Sequence, residues 1–153
     1  MDVAFKLADA ADADLLLGLM REFYELEHMA FDEPAARAAL LQILGDESFG
    51  RVWLIRVGGG AVGYVVMTLG FSLEFHGRDA FVDELYIRER HRGRGVGGRA
   101  LELVEGACRS LGVSALHLEV ERANAKAQSV YRRAGFKDHD RYLLTKWVGR
   151  TGF

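Results

Sequence analysis

Two adjacent carboxylates, Asp83 and Glu84, interrupt an apolar and aromatic run from Phe81 to Ile87. A carboxylate in that setting is costly unless something partners it. In a strand, neighbouring side chains leave opposite faces. Phe81, Leu85 and Ile87 are therefore expected to share a face with Asp83, and Val82 and Tyr86 one with Glu84. The plain reading of the acids is an ion pair with a nearby arginine. The chemical reading is a perturbed carboxylate that accepts a proton or anchors a cation.

A few residues on stands Arg92-Gly93-Arg94-Gly95-Val96-Gly97-Gly98. Glycines ahead of a helix let backbone N–H groups converge where the helix dipole is positive, which suits a pyrophosphate. Arg92 and Arg94 add charge-assisted bonds. Two glycines in the first helical turn cost up to ~1 kcal/mol each relative to alanine. Close approach of a ligand accounts for that cost.

Other reactive types are less promising. The single cysteine, Cys108, excludes an internal disulfide and a cysteine-based zinc site. It falls on the apolar side of an expected helix and reads as a buried structural thiol. The histidines, His28, His76, His91, His117 and His139, show no ligand spacing. His117-x-Glu119 lacks the Pro-Cys-x-x-Cys partner of a zinc deaminase, so His117 is expected in a sheet and no metal is implied.

The elements that must position these groups follow from periodicity. Val3–Leu7 reads as a strand, and Asp12 is placed to cap a helix with Leu16, Leu19, Met20, Phe23 and Leu26 on one face. Pro34 suits the first turn of a second helix, which carries Ala38, Leu41 and Leu44 and stops near Gly45. Val52–Val57 and Ala61–Leu69 form a hairpin across Gly58-Gly59-Gly60. Phe71–His76 extends the second strand or forms a loop, and Phe81–Ile87 is the next strand. The helix after the glycine loop packs Val96, Ala100, Leu103, Val104, Ala107 and Leu111, and Gly112 caps it. Ala115–Val120 is a strand. Asn124 caps a short helix with Ala127, Val130, Tyr131 and Ala134 on one side, ended by Gly135. A last strand region starts at Phe136 and is completed by Tyr142–Val148. The order β-α-α-β-β-β-α-β-α-β predicts an α/β (α+β) fold. Its central sheet is mixed and mostly antiparallel, with helices on both faces, and residues 1–153 make one domain.

Composition narrows the classes of function. Half of the 153 residues are hydrophobic and 27% are charged, so one ordinary core is expected. No apolar run approaches a bilayer span and no signal peptide is visible, which predicts a cytoplasmic protein without membrane contact. A net charge of −2 argues against a nucleic-acid partner held by bulk charge. The charges are nonetheless segregated. Acids gather early, at Glu22, Glu25, Glu27, Asp32 and Glu33, and bases at Arg88, Arg90, Arg92 and Arg94. This pattern reads either as two ligand sites of opposite charge or as solvated surface.

The glycine loop admits three phosphate motifs. The nucleotide P-loop ending, Gly-Lys-Ser/Thr, is absent. The dinucleotide fingerprint is present as Gly93, Gly95 and Gly98, with Glu119 or Glu121 available as the ribose acid. Its context is wrong, because Arg88–Arg92 separates the strand from the first glycine and too little chain follows for a doubly wound sheet. The third pattern, R-x-x-G-x-G at Arg92, Gly95 and Gly97, is preceded by Val82–Ile87. It is followed by Asn124, Ala127, Tyr131, Gly135 and Phe136 in the pattern N-x-x-A-x-x-x-Y-x-x-x-G-F. This combination resembles the GNAT superfamily of N-acetyltransferases. The motifs cover the C-terminal half, and the order of elements is similar over the whole chain.

The resemblance implies acetyl transfer from acetyl-CoA, as co-substrate, to a primary amine by direct attack in a ternary complex, with no metal. It implies a cofactor site built from Leu85, Tyr86 and Ile87, from Arg92, Gly93, Arg94, Gly95, Val96, Gly97 and Gly98, and from Asn124 on the pantetheine arm. Tyr131 is the implied acid for the departing thiolate, its plain alternative being a core aromatic. Family members resembling diamine and amino-sugar acetyltransferases carry an acidic pair where Asp83 and Glu84 stand, so Glu84 is the favoured base or amine anchor and Asp83 the second. Glu25 and Asp32 border the implied acceptor site, where acids attract a small cationic amine such as a polyamine or a basic amino-acid derivative. The alternatives are a protein lysine or N-terminal acetyltransferase, and a non-catalytic acyl-CoA module. The family also suggests a homodimer formed through the C-terminal strand, with Trp147 and Phe153 as apolar contacts.

Overall fold

A computed structural model describes residues 2–149, so Phe153 lies outside the described residues. Strand β1 spans Val3–Leu7, and a 3-10 turn at Ala10–Asp12 leads into helix α1, Ala13–Leu26. Asp12 stands at the N-cap of α1 but makes no cap bond there. Its carboxylate instead accepts from Asp9 N at 3.0 Å and from Lys6 Nζ at 2.9 and 2.8 Å, closing the preceding turn. The Lys6 bond is the main reason its pKa falls. Helix α2, Glu33–Gly45, has Asp32 as its cap and Pro34 in its first turn.

Helix α2 is rotated from the expected face. Leu40 is buried, with Ala36, Ile43 and Leu44 beside it, whereas Leu41 is 42% exposed and Ala38 faces outward. Both stripes obey helical spacing, so only docking against the sheet selects between them.

The sheet runs in the order β1-β2-β3-β4-β5, with β2 at Gly50–Val57, β3 at Gly60–Ser72, β4 at Gly77–Ile87 and β5 at Ala115–Leu118. The first four strands are antiparallel neighbours, and β5 joins β4 in parallel. Gly58 and Gly59, at φ 59 and 84, form the two-residue turn between β2 and β3, a conformation that suits glycine. Helix α3, Val96–Ser110, links β4 to β5 and buries Val96, Ala100, Leu101, Val104 and Cys108 against one face. Cys108 is the expected buried thiol: burial pushes its pKa up, and its Sγ lies 3.8 Å from Met67 Sδ. Helices α1 and α2 cover the other face over Val52, Leu54, Tyr64, Val66 and Tyr86.

Helix α4, Ala125–Arg133, is the last regular element among the described residues. The strand region expected at Phe136 and the final strand expected at Tyr142–Val148 do not form in this chain. Ion pairs hold the chain here instead of a ladder. Arg132 grips Asp138 at 2.8 and 2.6 Å, and Arg141 grips Glu74 at 2.9 and 2.7 Å. A β-prone segment forms a strand only against a partner edge, and Tyr142–Val148 does not join the sheet.

Candidate active site

The register of β3 with β4 decides where the acids point. Val66 pairs with Glu84 and Met67 with Val82, so Asp83 is the extra residue of a β-bulge. Simple alternation is therefore broken. Val82 lies in the core on the α3 side, with Leu85 and Ile87 packed beside it, while Tyr86 lies in the core under α1 and α2. Asp83 and Glu84 do not part to opposite faces. Both line one cavity of about 250 Å³ between α1, α2 and the sheet.

Glu84 is held by two phenols that the sequence did not single out. Tyr24 Oη donates to Oε2 at 2.5 Å and Tyr64 Oη to Oε1 at 2.7 Å. Tyr24 continues the line of Leu16 and Met20 at four-residue spacing along α1, which was the one available signal for it. Burial raises the pKa of both tyrosines far above the ordinary range, so they remain donors. Desolvation also raises the pKa of Glu84, against the lowering effect of the two phenols, and raises that of Asp83. Among the described residues neither acid has an ion-pair partner. The nearest arginine along the strand, Arg88, is bound instead to Glu22 at 2.9 and 2.7 Å, and Glu22 also accepts from Tyr86 Oη at 3.0 Å.

On the other side of β4, the basic loop opens a larger cavity of about 690 Å³ between α3 and α4. Ile87, Arg92, Gly93, Gly95, Val96, Gly97 and Gly98 line it, as do Val130, Arg133 and Ala134 of α4. Gly93 and Gly95 sit at φ 73 and 80, which favours glycine. Gly95 is the N-cap of α3 and offers no side chain, so the first-turn N–H groups are not spent on a cap. A Cβ at Gly98 would meet nothing within 4 Å, and one at Gly97 only Ile87 at an ordinary 3.5 Å. Protein packing therefore does not demand glycine at either position. His91 in the same wall has a buried Nδ1 without a hydrogen-bond partner.

The remaining expected cofactor residues stand elsewhere. Arg94 is exposed, and Leu85 packs toward the α3-side core. Tyr86 is buried under α1, and the Arg92 guanidinium lies 5.8 Å from its ring while Arg92 Nε donates to Ile87 O at 2.7 Å. Asn124 caps α4, its Oδ1 accepting from Ala127 N at 3.1 Å.

The sheet opens along β4, between the acids and the basic loop. Parallel pairing of β4 with β5 ends at Val82 and Leu118, yet β4 continues to Ile87. Beyond that point the β5-facing edge of β4 has no strand partner. Tyr131 of α4 packs on Phe136, with ring centroids 6.2 Å apart, and against the α3-side core. Burial raises its pKa, and the charge of Glu27 at the end of α1 adds to this.

The early acids are largely spoken for. Arg37 binds Asp14 and Glu33, Asp32 accepts from Ala35 N, and Glu25 is exposed on α1. Neither Glu25 nor Asp32 lines the smaller cavity. His117 is a sheet residue, 3.1 Å from Asp79 and flanked by the rings of Phe75 and Phe81. Among the described residues no cluster of acids, histidines and cysteine could hold a metal, and no helix is long and apolar enough to cross a membrane.

The chain as a whole has counterparts among known proteins. The model of the acetyltransferase (GNAT) family matches residues 17–136, and the chain belongs to that family of acetyl-CoA-dependent N-acetyltransferases. It is 25% identical to the thialysine N-epsilon-acetyltransferase of Bos taurus over 89% of this chain and 85% of that protein. It is 31% identical to the uncharacterized N-acetyltransferase YhfO of Bacillus subtilis over 87% of each. Among solved structures, the integron cassette protein HFX_CASS3 from the Cole Harbour Salt Marsh metagenome superposes with a TM-score of 0.85. It is 39% identical, over 96% of this chain and 91% of that one.

Proposed function

We propose that this single domain, residues 1–153, acetylates the primary amine of a small cationic acceptor by direct attack in a ternary complex. One observation carries the reading: the half-buried Glu84 and the more exposed Asp83, without a cationic partner among the described residues, stand where β4 parts from β5. An ammonium is the partner they lack. The larger cavity fits acetyl-CoA by its chemistry, with unspent helix N–H groups for the pyrophosphate and Gly93, Gly95, Gly97 and Gly98 for close backbone approach. Arg92, Arg94, Val96 and the β4 residues Leu85, Tyr86 and Ile87 complete the cofactor side, and Asn124 adds to it from the start of α4. When bound, acetyl-CoA supplies the activated acyl group.

Glu84 takes the proton that the ammonium must lose before it can attack, and Tyr24 and Tyr64 hold that carboxylate in place. Asp83, beside it at the cavity mouth, anchors the cation. Backbone N–H groups on the open edge of β4 stabilise the charge that develops on the acyl oxygen. Tyr131, protonated at neutral pH, gives its proton to the thiolate as the carbon–sulfur bond breaks. Glu25 and Asp32 contribute a field that draws a cation toward the mouth. The small volume of the cavity, about 250 Å³, favours a small molecule over a protein lysine or N-terminus. A cytoplasmic location goes with this reading.

Thiol release from acetyl-CoA in the presence of a panel of amines tests it. Acceptor-dependent release is expected, and its absence while acetyl-CoA binds would favour a non-catalytic module. The pH profile is a further expectation. Glu84 must be ionised to act, and its pKa lies above the ordinary 4.5. Lowering the pH should therefore remove kcat/KM through an apparent pKa above that value, which belongs to the coupled Asp83–Glu84 pair. A limb at or below 4.5 would contradict a desolvated base.

A homodimer is part of the proposal. Tyr142, Leu143, Leu144 and Val148 are 83, 70, 89 and 90% exposed, and β5 beside them is the edge of its sheet. Apolar exposure on that scale marks a contact surface, and an edge strand is a template for pairing with another chain. Light scattering should return the mass of two chains, and Leu144→Glu that of one. A wild-type monomer at tens of micromolar would rule the dimer out.

A further inference from the structure

We infer that the cavity between α1, α2 and the sheet holds the body of the acceptor, and that it selects a primary amine carried on a short apolar body over a polyamine. The inference rests on the acetyl-transfer reading and adds the class of amine.

The cavity has a charged end and an apolar end. Asp83 and Glu84 stand at one end with the Tyr24 and Tyr64 hydroxyls, and the walls beyond are Leu16, Met20, Leu40, Ile43, Val52 and Val66. Ala36 and Ala39 of α2 keep the space open. Its 250 Å³ equals the volume of roughly eight waters, room for a body the size of a phenylethyl or hexyl group. A polyamine carries a second ammonium a few methylenes from the first. With the first at Glu84, the second would lie against aliphatic side chains and lose its hydration without a partner.

The acids of α1 and α2 do not rescue it. Glu22 is held by Arg88, Asp14 and Glu33 by Arg37, and Asp32 by the start of α2; Glu25 is exposed, and none of them lines the cavity. A free amino acid meets the matching problem, because the lining holds no lysine, arginine or histidine for its carboxylate. An alkyl or arylalkyl body gains from the same walls by leaving water.

The test uses the full chain, acetyl-CoA and matched amines: pentylamine against 1,5-diaminopentane, and 2-phenylethylamine against spermidine and lysine. Each monoamine should exceed its charged counterparts by at least about tenfold in kcat/KM. In Ala39→Trp, which fills the solvent-side wall without entering the core, the preference for 2-phenylethylamine over ethylamine should fall about tenfold. Equal or better turnover of 1,5-diaminopentane, spermidine or lysine overturns the inference and leaves acetyl transfer standing. An unchanged preference in Ala39→Trp removes the cavity as the binding site. No turnover of any amine, with acetyl-CoA bound, overturns both readings.

Discussion

Glu84→Gln is expected to lower kcat/KM for amine acetylation about a thousandfold, within the range of positioned general bases, and to leave the affinity for acetyl-CoA unchanged. Glutamine keeps the volume and an oxygen for one of the two phenols but cannot take a proton. The larger cavity, proposed for acetyl-CoA, lies across β4 and does not include Glu84. Stability supplies a second readout with its own sign. The folded pKa of Glu84 is raised above 4.5, so the native state binds its proton more tightly than the unfolded chain does. The ionised group thus costs stability, which falls as pH rises from 4.5 through the folded value and stays reduced above it. At pH 7 the glutamine variant should melt at or above the wild-type temperature while losing activity, as expected of a destabilised functional group. Steady-state kinetics, cofactor titration and thermal melting of one preparation check all three parts. Retained turnover would move the base to Asp83 or to solvent.

Tyr131→Phe should reduce kcat about a hundredfold, at the lower end expected for loss of a general acid, again without weakening acetyl-CoA. Phenylalanine preserves the edge contact with Phe136 and the packing against the α3-side core. A purely structural tyrosine would tolerate this change with little loss of rate. Calorimetric binding beside turnover separates the two roles, since a packing defect would disturb affinity and melting together. An unchanged kcat would mean that the thiolate leaves without a proton from Tyr131.

The contrast between these residues shows what local pattern can carry. Tyr131 was legible because its place depends on neighbours in its own helix, between the Asn124 cap and Gly135 at φ 99. The conformation of the glycine loop was legible for the same reason: glycines at positive φ and an uncapped helix start are properties of a few consecutive residues. Tyr24 and Tyr64 were not, because each contacts Glu84 from a separate element, 60 and 20 residues away in the chain. Glu22 and Arg88 could be counted as an acidic and a basic zone, but they neutralise each other across 66 residues.

By itself the sequence determined the family, the order of elements as far as α4, the glycine loop and the helix ends at Gly112, Asn124 and Gly135. These depend on backbone conformation and on hydrogen bonds over short separations, which residue type controls directly. Tertiary structure alone decided the rest. It set the bulge that turns Asp83 and Glu84 into one cavity, the face that α2 presents, the ion pairs that absorb the early acids, and the absence of Tyr142–Val148 from the sheet. Each depends on register or on a partner distant in the chain. Propensity is blind to both, because a one-residue shift in pairing reverses every side chain without changing a single local preference.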